Sequence, residues 1–454
     1  MSSELLWVND FLSSGIGQEP DVLGDLRIVR GPSADLCIRC RGGRMLCGKI
    51  SCPLLAKARA IATYNSLVAS DHIDGSTPPG VFVGRFGYPR VSIGPLIPPC
   101  HGDTSILDTP ELWLGKTIQE IVDMRYSLVR GKTRVSIFDA QEPFGMVDRL
   151  QELTMSVAPA ESEARFAGKP GGSLTLSDEV QPFGPSAPLR SFQAWGVKAD
   201  RRVEKAYYDR DLNAADAIVA LHDDGVQVTR IQRALSMGMF GIGSRRRLVP
   251  TRWSITAVDS TVSERMLDDI KHLPSIDDFR VHTFHYIDNR YVVMLMPEKW
   301  SYESIEAWFP GTAWNEGGDY PAMMGDHEGY QGRTTYASIG GCYYACRLAI
   351  AEHLMKEGRQ SSALVLREIR PGYILPVGVW NVRESVRAAL SRSPERFDNF
   401  SSALEYGLSR LSIPRRAWLQ CSHMLKEAFF QRRIDRYFDA QQPAARSRAS
   451  PLAP

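Results

Sequence analysis

The 454-residue chain has no uninterrupted apolar run approaching the roughly 18 residues that a membrane-spanning helix needs, which argues against a helical membrane protein, and no membrane partner is expected. Its opening, Met1-Ser-Ser-Glu-Leu-Leu-Trp7, lacks the basic segment and long apolar core of a secretory leader, so the expected location is the cytoplasm. Nor is there a surplus of charge. Lys and Arg number 54 against 52 Asp and Glu, a net +2, so overall charge alone implies no nucleic-acid partner. Cysteine is sparse outside one cluster: Cys100, Cys342, Cys346 and Cys421 are scattered, which fits reduced thiols and not a disulfide framework. A phosphate loop is missing too, because Gly131-Lys132-Thr133 has Tyr126 where that motif requires glycine. What remains, 43% hydrophobic and 23% charged residues, describes a globular protein long enough for two or three domains.

Half of the eight cysteines fall within one short stretch, Cys37-x2-Cys40-x6-Cys47-x4-Cys52-Pro53. Four soft thiolates so spaced can turn back on one ion, and tetrahedral zinc is the expected occupant of Cys37, Cys40, Cys47 and Cys52. An iron-sulfur cluster is the alternative cofactor, since cysteine followed by proline also occurs in cluster ligation. Unconnected buried thiols would be the plain explanation, but packing alone does not account for four of them so close together. Gly42, Gly43 and Gly48 allow the backbone to bend there, and Arg39, Arg41, Arg44 and Lys49 surround the cluster with positive charge.

Beyond this module the pattern mixes helical and strand periods. Leu54 to Ala69 and Leu112 to Arg130 read as helices, and Arg134 to Phe138 as a buried strand. Gly80 to Pro95 reads as short strands and tight turns, with enough glycine for a close backbone approach to a ligand. Residues 212–239 form two helical segments around Gly225, a pattern shared by helix-turn-helix DNA readers and by ordinary helical hairpins. The arginines that follow, Arg245, Arg246, Arg247 and Arg252, are the candidate phosphate contacts. Ser254 to Asp259 reads as a strand, and Arg280 to Tyr286 with Arg290 to Met296 as a hairpin. Asp319, Asp326 and Glu328 lie in a glycine-rich acidic stretch that could hold a divalent metal or be an exposed connection. Helices are expected over Glu384–Leu390, Ser401–Ser409 and 416–430.

Near the end, Gln431, Ile434, Tyr437 and Phe438 match the peptide by which proteins dock on a sliding clamp: glutamine, an aliphatic three residues on, then two adjacent aromatics. One tight helical turn projects the aliphatic and both rings from one side, ready for an apolar pocket. The remaining 439–454 has no core-forming run and reads as a flexible tail.

The cysteine module, the phrase Arg247-Leu-Val-Pro-Thr-Arg-Trp-Ser-Ile-Thr-Ala-Val-Asp259 and the terminal peptide together resemble the archaeal Nre family of DNA repair proteins, over nearly the whole chain. The resemblance implies a factor in repair of DNA damage, including crosslinks, recruited by the archaeal sliding clamp, proliferating cell nuclear antigen. Tyr437 stands where the family more often has phenylalanine. It supplies no catalytic residue set, so whether the chain is an enzyme stays open. The main expectation is a DNA-binding, nucleoid-associated repair factor; the alternative is a metal-dependent nuclease using the region of Asp319, Asp326 and Glu328. A nucleotide-handling enzyme using the Gly84 to Gly94 loops is a third class. The expected fold is mixed α/β (α+β) in two lobes. Its parts are a segment 1–30, a zinc module 31–60, an α/β domain 61–299, a carboxy-terminal domain 300–430, the clamp peptide 431–438 and the tail.

Overall fold

One long helix, Thr251–Ile270, joins two separate sheets, and a computed structural model shows how the rest of the chain is arranged on either side of it. The structure describes residues 27–29, 34–67, 70–171, 173–175, 183–315 and 318–430; most of the segment 1–30, the clamp peptide and the tail lie outside them. In chain order the first elements are β1 (Arg27–Val29), α1 (Ala34–Cys40), α2 (Pro53–Leu67), β2 (His72–Thr77), β3 (Val81–Val83) and β4 (Arg90–Ile97). Then follow α3 (Ile118–Tyr126), β5 (Val129–Ser136), α4 (Met146–Met155), β6 (Ala160–Phe166), β7 (Ser173–Thr175) and β8 (Ser186–Trp195). Three helices, α5 (Arg201–Tyr208), α6 (Ala214–Asp223) and α7 (Val228–Ser236), lead into the long α8 (Thr251–Ile270). The chain continues through β9 (Phe279–Tyr286), β10 (Asn289–Met296), β11 (Ser301–Trp308), β12 (Ala322–Glu328), α9 (Gly341–Glu357) and β13 (Ser362–Ile369). It closes with α10 (Trp380–Leu390), β14 (Glu395–Phe397), α11 (Phe400–Ser409), α12 (Arg415–Cys421) and α13 (His423–Phe430).

The first six-stranded sheet has the order β2-β6-β8-β5-β4-β3, and the second β12-β11-β13-β10-β9-β14. Both are mixed, with one parallel pair each, β5 with β8 and β11 with β13, among antiparallel neighbours. The protein is thus of the mixed α/β class, and its second sheet begins upstream of residue 300. In β10 alternate residues serve two cores: Tyr291, Val293 and Leu295 pack with α9 and α10, whereas Val292, Met294 and Met296 pack with α11 to α13. A strand covered on both faces reads as a continuous apolar run, as Tyr291 to Met296 does. The β9–β10 hairpin turns at Ile287 and Asp288, whose φ angles of 46° and 51° suit a tight turn between twisted strands.

Three expected assignments change. Ser254 to Asp259 lies inside α8, because Ser254, Val258, Val262 and Asp259, Ser263 fall on one buried helical face, outweighing the β-branched composition. Leu112 to Arg130 is helical only over α3, which starts at a capping box of Thr117 and Glu120; the chain then extends into β5. At the far end the expected helix over 416–430 is broken at Ser422, where Glu303 accepts hydrogen bonds from Ser422 Oγ (2.5 Å), His423 N (2.7 Å) and Met424 N (2.9 Å). That carboxylate caps the start of α13. No helix among the described residues is long and apolar enough to cross a membrane.

Candidate functional site

The four cysteines are carried by a helix end, a glycine-rich turn and a helix start. Cys37 and Cys40 sit one turn apart on α1, and the chain then reverses through left-handed Arg41, Gly42, Met45 and Gly48. Leu46 N donates to Cys40 Sγ at 3.4 Å, and Cys52 precedes Pro53, the first residue of α2. Burial pushes the Cys37 thiol up to about 11, helped by the like charge that Cys52, Cys47 and Cys40 would carry, so the four sulfurs share one electrostatic neighbourhood. Two lysines, Lys49 and Lys57, are buried beside them, and burial together with Lys49 pulls the Lys57 ammonium down to about 8. The thiols are gathered but not closed: among the described residues no three His, Cys, Asp or Glu side chains meet at ion-holding spacing. As a donor set, four soft sulfurs with an amide N–H on one of them and buried cations nearby suit a thiolate-bound ion, whose excess negative charge they would offset.

The region 212–239 forms the two expected helices, yet α7 is buried along its length, from Val228 through Ser236, and serves the core of the first sheet. It is a helical hairpin whose second helix belongs to the core and leaves no face free for a DNA groove. Among the candidate phosphate contacts, Arg246 is also internal. Its guanidinium donates to the carbonyls of Gly241 (2.8 Å), Tyr207 (2.7 Å) and Asp209 (3.0 Å), so it holds a loop together. Arg245 and Arg252 are exposed and Arg247 half-buried.

These three arginines belong to a larger face that the sequence did not reveal. Val83 N donates to Thr251 Oγ1 (2.9 Å), fixing the β3–β4 turn to the start of α8. The same turn is held by Ile137 N donating to Pro89 O (3.0 Å), and Leu248 N in turn donates to Ile137 O (2.9 Å). On this frame Tyr88 lies 5.6 Å from Trp253, Arg85 stacks on Phe86 at 5.1 Å, and Arg247 on Phe138 at 4.5 Å. Gly87 has a φ of +82°, and a Cβ there would fall 2.2 Å from Arg134 Nη2, so glycine lets that guanidinium cross the turn. Among the described residues, none of Arg85, Arg90, Arg134, Arg245, Arg247 and Arg252 has an ion-pair partner. The carboxylates along the connecting segment are already engaged, Asp139 by Ser136 N (3.0 Å) and Glu142 by Arg210 (2.9 Å). The signal that could have found this face is the glycine-rich stretch from Gly84 to Gly94, which carries exposed aromatics on a turn.

The acidic residues do not converge. Asp319 is exposed; Asp326 is held by Arg333 Nη2 (2.9 Å) and Ser338 N (2.7 Å). Glu328 is buried and accepts from Arg347 Nη1 (2.8 Å), Trp300 Nε1 (3.1 Å) and the Tyr343 hydroxyl (3.1 Å). Two of the three carboxylates thus serve the packing of β12 against its neighbours.

Taken together, fold and site define a mixed α/β protein with two six-stranded sheets, a cysteine-rich module and an uncompensated arginine and aromatic face. The chain belongs to the archaeal Nre family: the family's amino-terminal model matches residues 46–315 and its carboxy-terminal model residues 328–437. It is 41% identical over 391 residues to the DNA repair protein NreB of Archaeoglobus fulgidus, covering 86% of this chain and 97% of that protein. To the DNA repair protein NreA of the same organism it is 36% identical over 369 residues, covering 81% of this chain and 92% of the relative. The DNA repair protein NreA of Haloferax volcanii is 37% identical over 354 residues, 75% of this chain and 83% of its own length. No solved structure matches the chain.

Proposed function

We propose that this Nre-family protein is a DNA repair factor that binds DNA directly and is recruited to it by the archaeal sliding clamp, proliferating cell nuclear antigen. The observation that carries DNA binding is the face of Arg85, Arg90, Arg134, Arg245, Arg247 and Arg252, six cations without carboxylate partners among the described residues. A polyanion supplies the charge they lack, and phosphates are the partner such clustered guanidinium groups fit best. Recruitment rests on Gln431, Ile434, Tyr437 and Phe438, whose spacing sets an aliphatic and two aromatic side chains on one helical turn. Repair of DNA damage as the process is supported by relatives that are DNA repair proteins and align with most of the chain.

Zinc is the proposed cofactor, held by Cys37, Cys40, Cys47 and Cys52, where four thiolates would fix the turn between α1 and α2. Its role there is structural, since a site closed by four sulfurs leaves no open position for a reacting group. The experiment is genetic. Host cells deleted for the gene should become sensitive to a DNA-crosslinking agent, and the wild-type gene should restore survival while an Arg245→Ala, Arg252→Ala variant restores it poorly. Full restoration by that variant, at equal protein level, would count against DNA binding as the basis of repair.

A further inference from the structure

The arginine face carries more than charge. Phe86 is 79% exposed, Tyr88 51%, Phe138 48% and Trp253 48%, and all four stand among the unpaired arginines. Exposed large apolar groups cost free energy unless something covers them, and clustered examples mark recognition surfaces. Duplex DNA offers such rings no open base face, because its bases are stacked inside and only phosphates and groove edges face outward. An unpaired nucleotide offers a flat π-face together with its phosphate, which is the combination this surface is built to meet.

The geometry points to a binding site for single-stranded or unpaired DNA on this face, with Phe86, Tyr88 and Trp253 stacking on bases and the flanking arginines tracking the phosphates. The inference rests on the DNA-binding reading above and specifies its ligand. Three features support it. The β3–β4 turn is anchored at both ends by hydrogen bonds, to Thr251 and from Ile137, so Phe86 and Tyr88 are presented on a fixed frame. Arg134 passes over Gly87, the residue that separates Phe86 and Tyr88 in the chain, and so brings a cation to the same turn as the two rings. Tyr88 and Trp253 come from distant parts of the chain yet approach to 5.6 Å with planes inclined at 52°, so their rings offer differently oriented faces and are not merged into one closed pair. A protein partner would be expected to meet a mixture of charges; here the cations outnumber free carboxylates along the whole turn, which favours a polyanion.

Fluorescence anisotropy on the full-length protein tests this, with a labelled mixed-sequence oligonucleotide and the duplex made from it, at low and moderate salt. The single strand should bind about tenfold or more tightly than the duplex. Phe86→Ala and Trp253→Ala should each weaken single-strand binding about fivefold or more and leave duplex binding unchanged. Trp253→Phe, which keeps a ring, should recover most of the loss, and Phe86→Leu, which keeps only apolar bulk, should not. Arg245→Ala with Arg252→Ala should weaken both forms and flatten the salt dependence. Because Phe86 projects into solvent, its truncation opens no core cavity, and unchanged thermal midpoints will show that the variants are folded. Equal affinity for both DNA forms, or single-strand binding indifferent to both aromatic substitutions, overturns the single-strand inference while DNA binding stands. No affinity for either form overturns the DNA-binding reading and this inference with it.

Discussion

Replacing Arg383 by methionine should be among the most damaging single changes outside the cysteine module. Arg383 on α10 is 1% exposed, and its Nη1 donates to both oxygens of Asp259 on α8, at 2.9 and 3.0 Å. Asp259 has one further partner, Gln232 Nε2 of α7 at 2.9 Å, so this knot joins the core of the first sheet to a helix of the second. Glu111, half-buried nearby, also leans on Arg383: burial pushes its carboxyl up, and the guanidinium with the Thr229 hydrogen bond brings it below the ordinary range. Methionine would leave the buried Asp259 carboxylate without the cation that hydrogen-bonds it. Breaking a buried pair by removing one partner costs about 3–5 kcal/mol, far more than the pair contributes net. In an Asp259→Asn background, where the stranded charge is absent, the same substitution should cost only about 1–2 kcal/mol. Urea unfolding of the four proteins at neutral pH gives both numbers. The sign with pH is also fixed. Burial already pushes Asp259 up against the pull of Arg383, and without that pull the carboxyl rises further above its ordinary 3.8. A raised carboxyl binds more protons folded than unfolded, so stability is lost as pH rises above 3.8 through the raised value. The Arg383→Met deficit should therefore shrink in acid. A deficit below about 1 kcal/mol, or one equal in both backgrounds, would mean that no stranded Asp259 charge is at work.

Three further outcomes follow from the same structure. Purified protein should carry zinc, and Cys40→Ser or Cys52→Ser should lose it and lower the thermal midpoint; wild-type protein with no bound metal and no response to chelators would remove the zinc proposal. Zinc affinity should fall as pH is lowered, since the Cys37 thiol, pushed up to about 11 by burial, must lose its proton to bind. Glu352 joins α9 to α6 and α10 by accepting from His222 Nε2 (3.1 Å) and Arg387 Nη2 (2.6 Å). Burial pushes its carboxyl up, but those hydrogen bonds outweigh it and hold it at about 2 against an ordinary 4.5. Its stabilisation is complete above 4.5 and disappears as pH falls towards 2. Glu352→Gln should thus cost up to about 3 kcal/mol near neutral pH and progressively less in acid, as urea unfolding across pH would show.

The sequence made local patterns legible and left their assembly hidden. The β9–β10 hairpin is readable because Asp288 separates two β-branched runs, and α2 because its apolar residues recur at helical spacing. Ser254 to Asp259 misleads because its β-branched residues occupy a helix whose burial overrides propensity. The buried arginines are a harder case: Arg246, Arg347 and Arg383 look like surface charge in a string of letters, and only the fold supplies the carbonyls and carboxylates that let them go inside. The candidate DNA face illustrates the same limit. Arg245, Arg247 and Arg252 could be suspected from clustering, but Phe86, Tyr88 and Arg134 join them through contacts across more than a hundred residues of chain, for which no local pattern exists.

Calorimetric titration of the full-length chain with the sliding clamp tests whether the protein is brought to DNA by that route. Wild-type protein should bind with a dissociation constant on the order of micromolar, and Tyr437→Ala with Phe438→Ala should abolish the heat of binding. Clamp binding of equal strength in wild type and double variant, or none in the wild type, would contradict it.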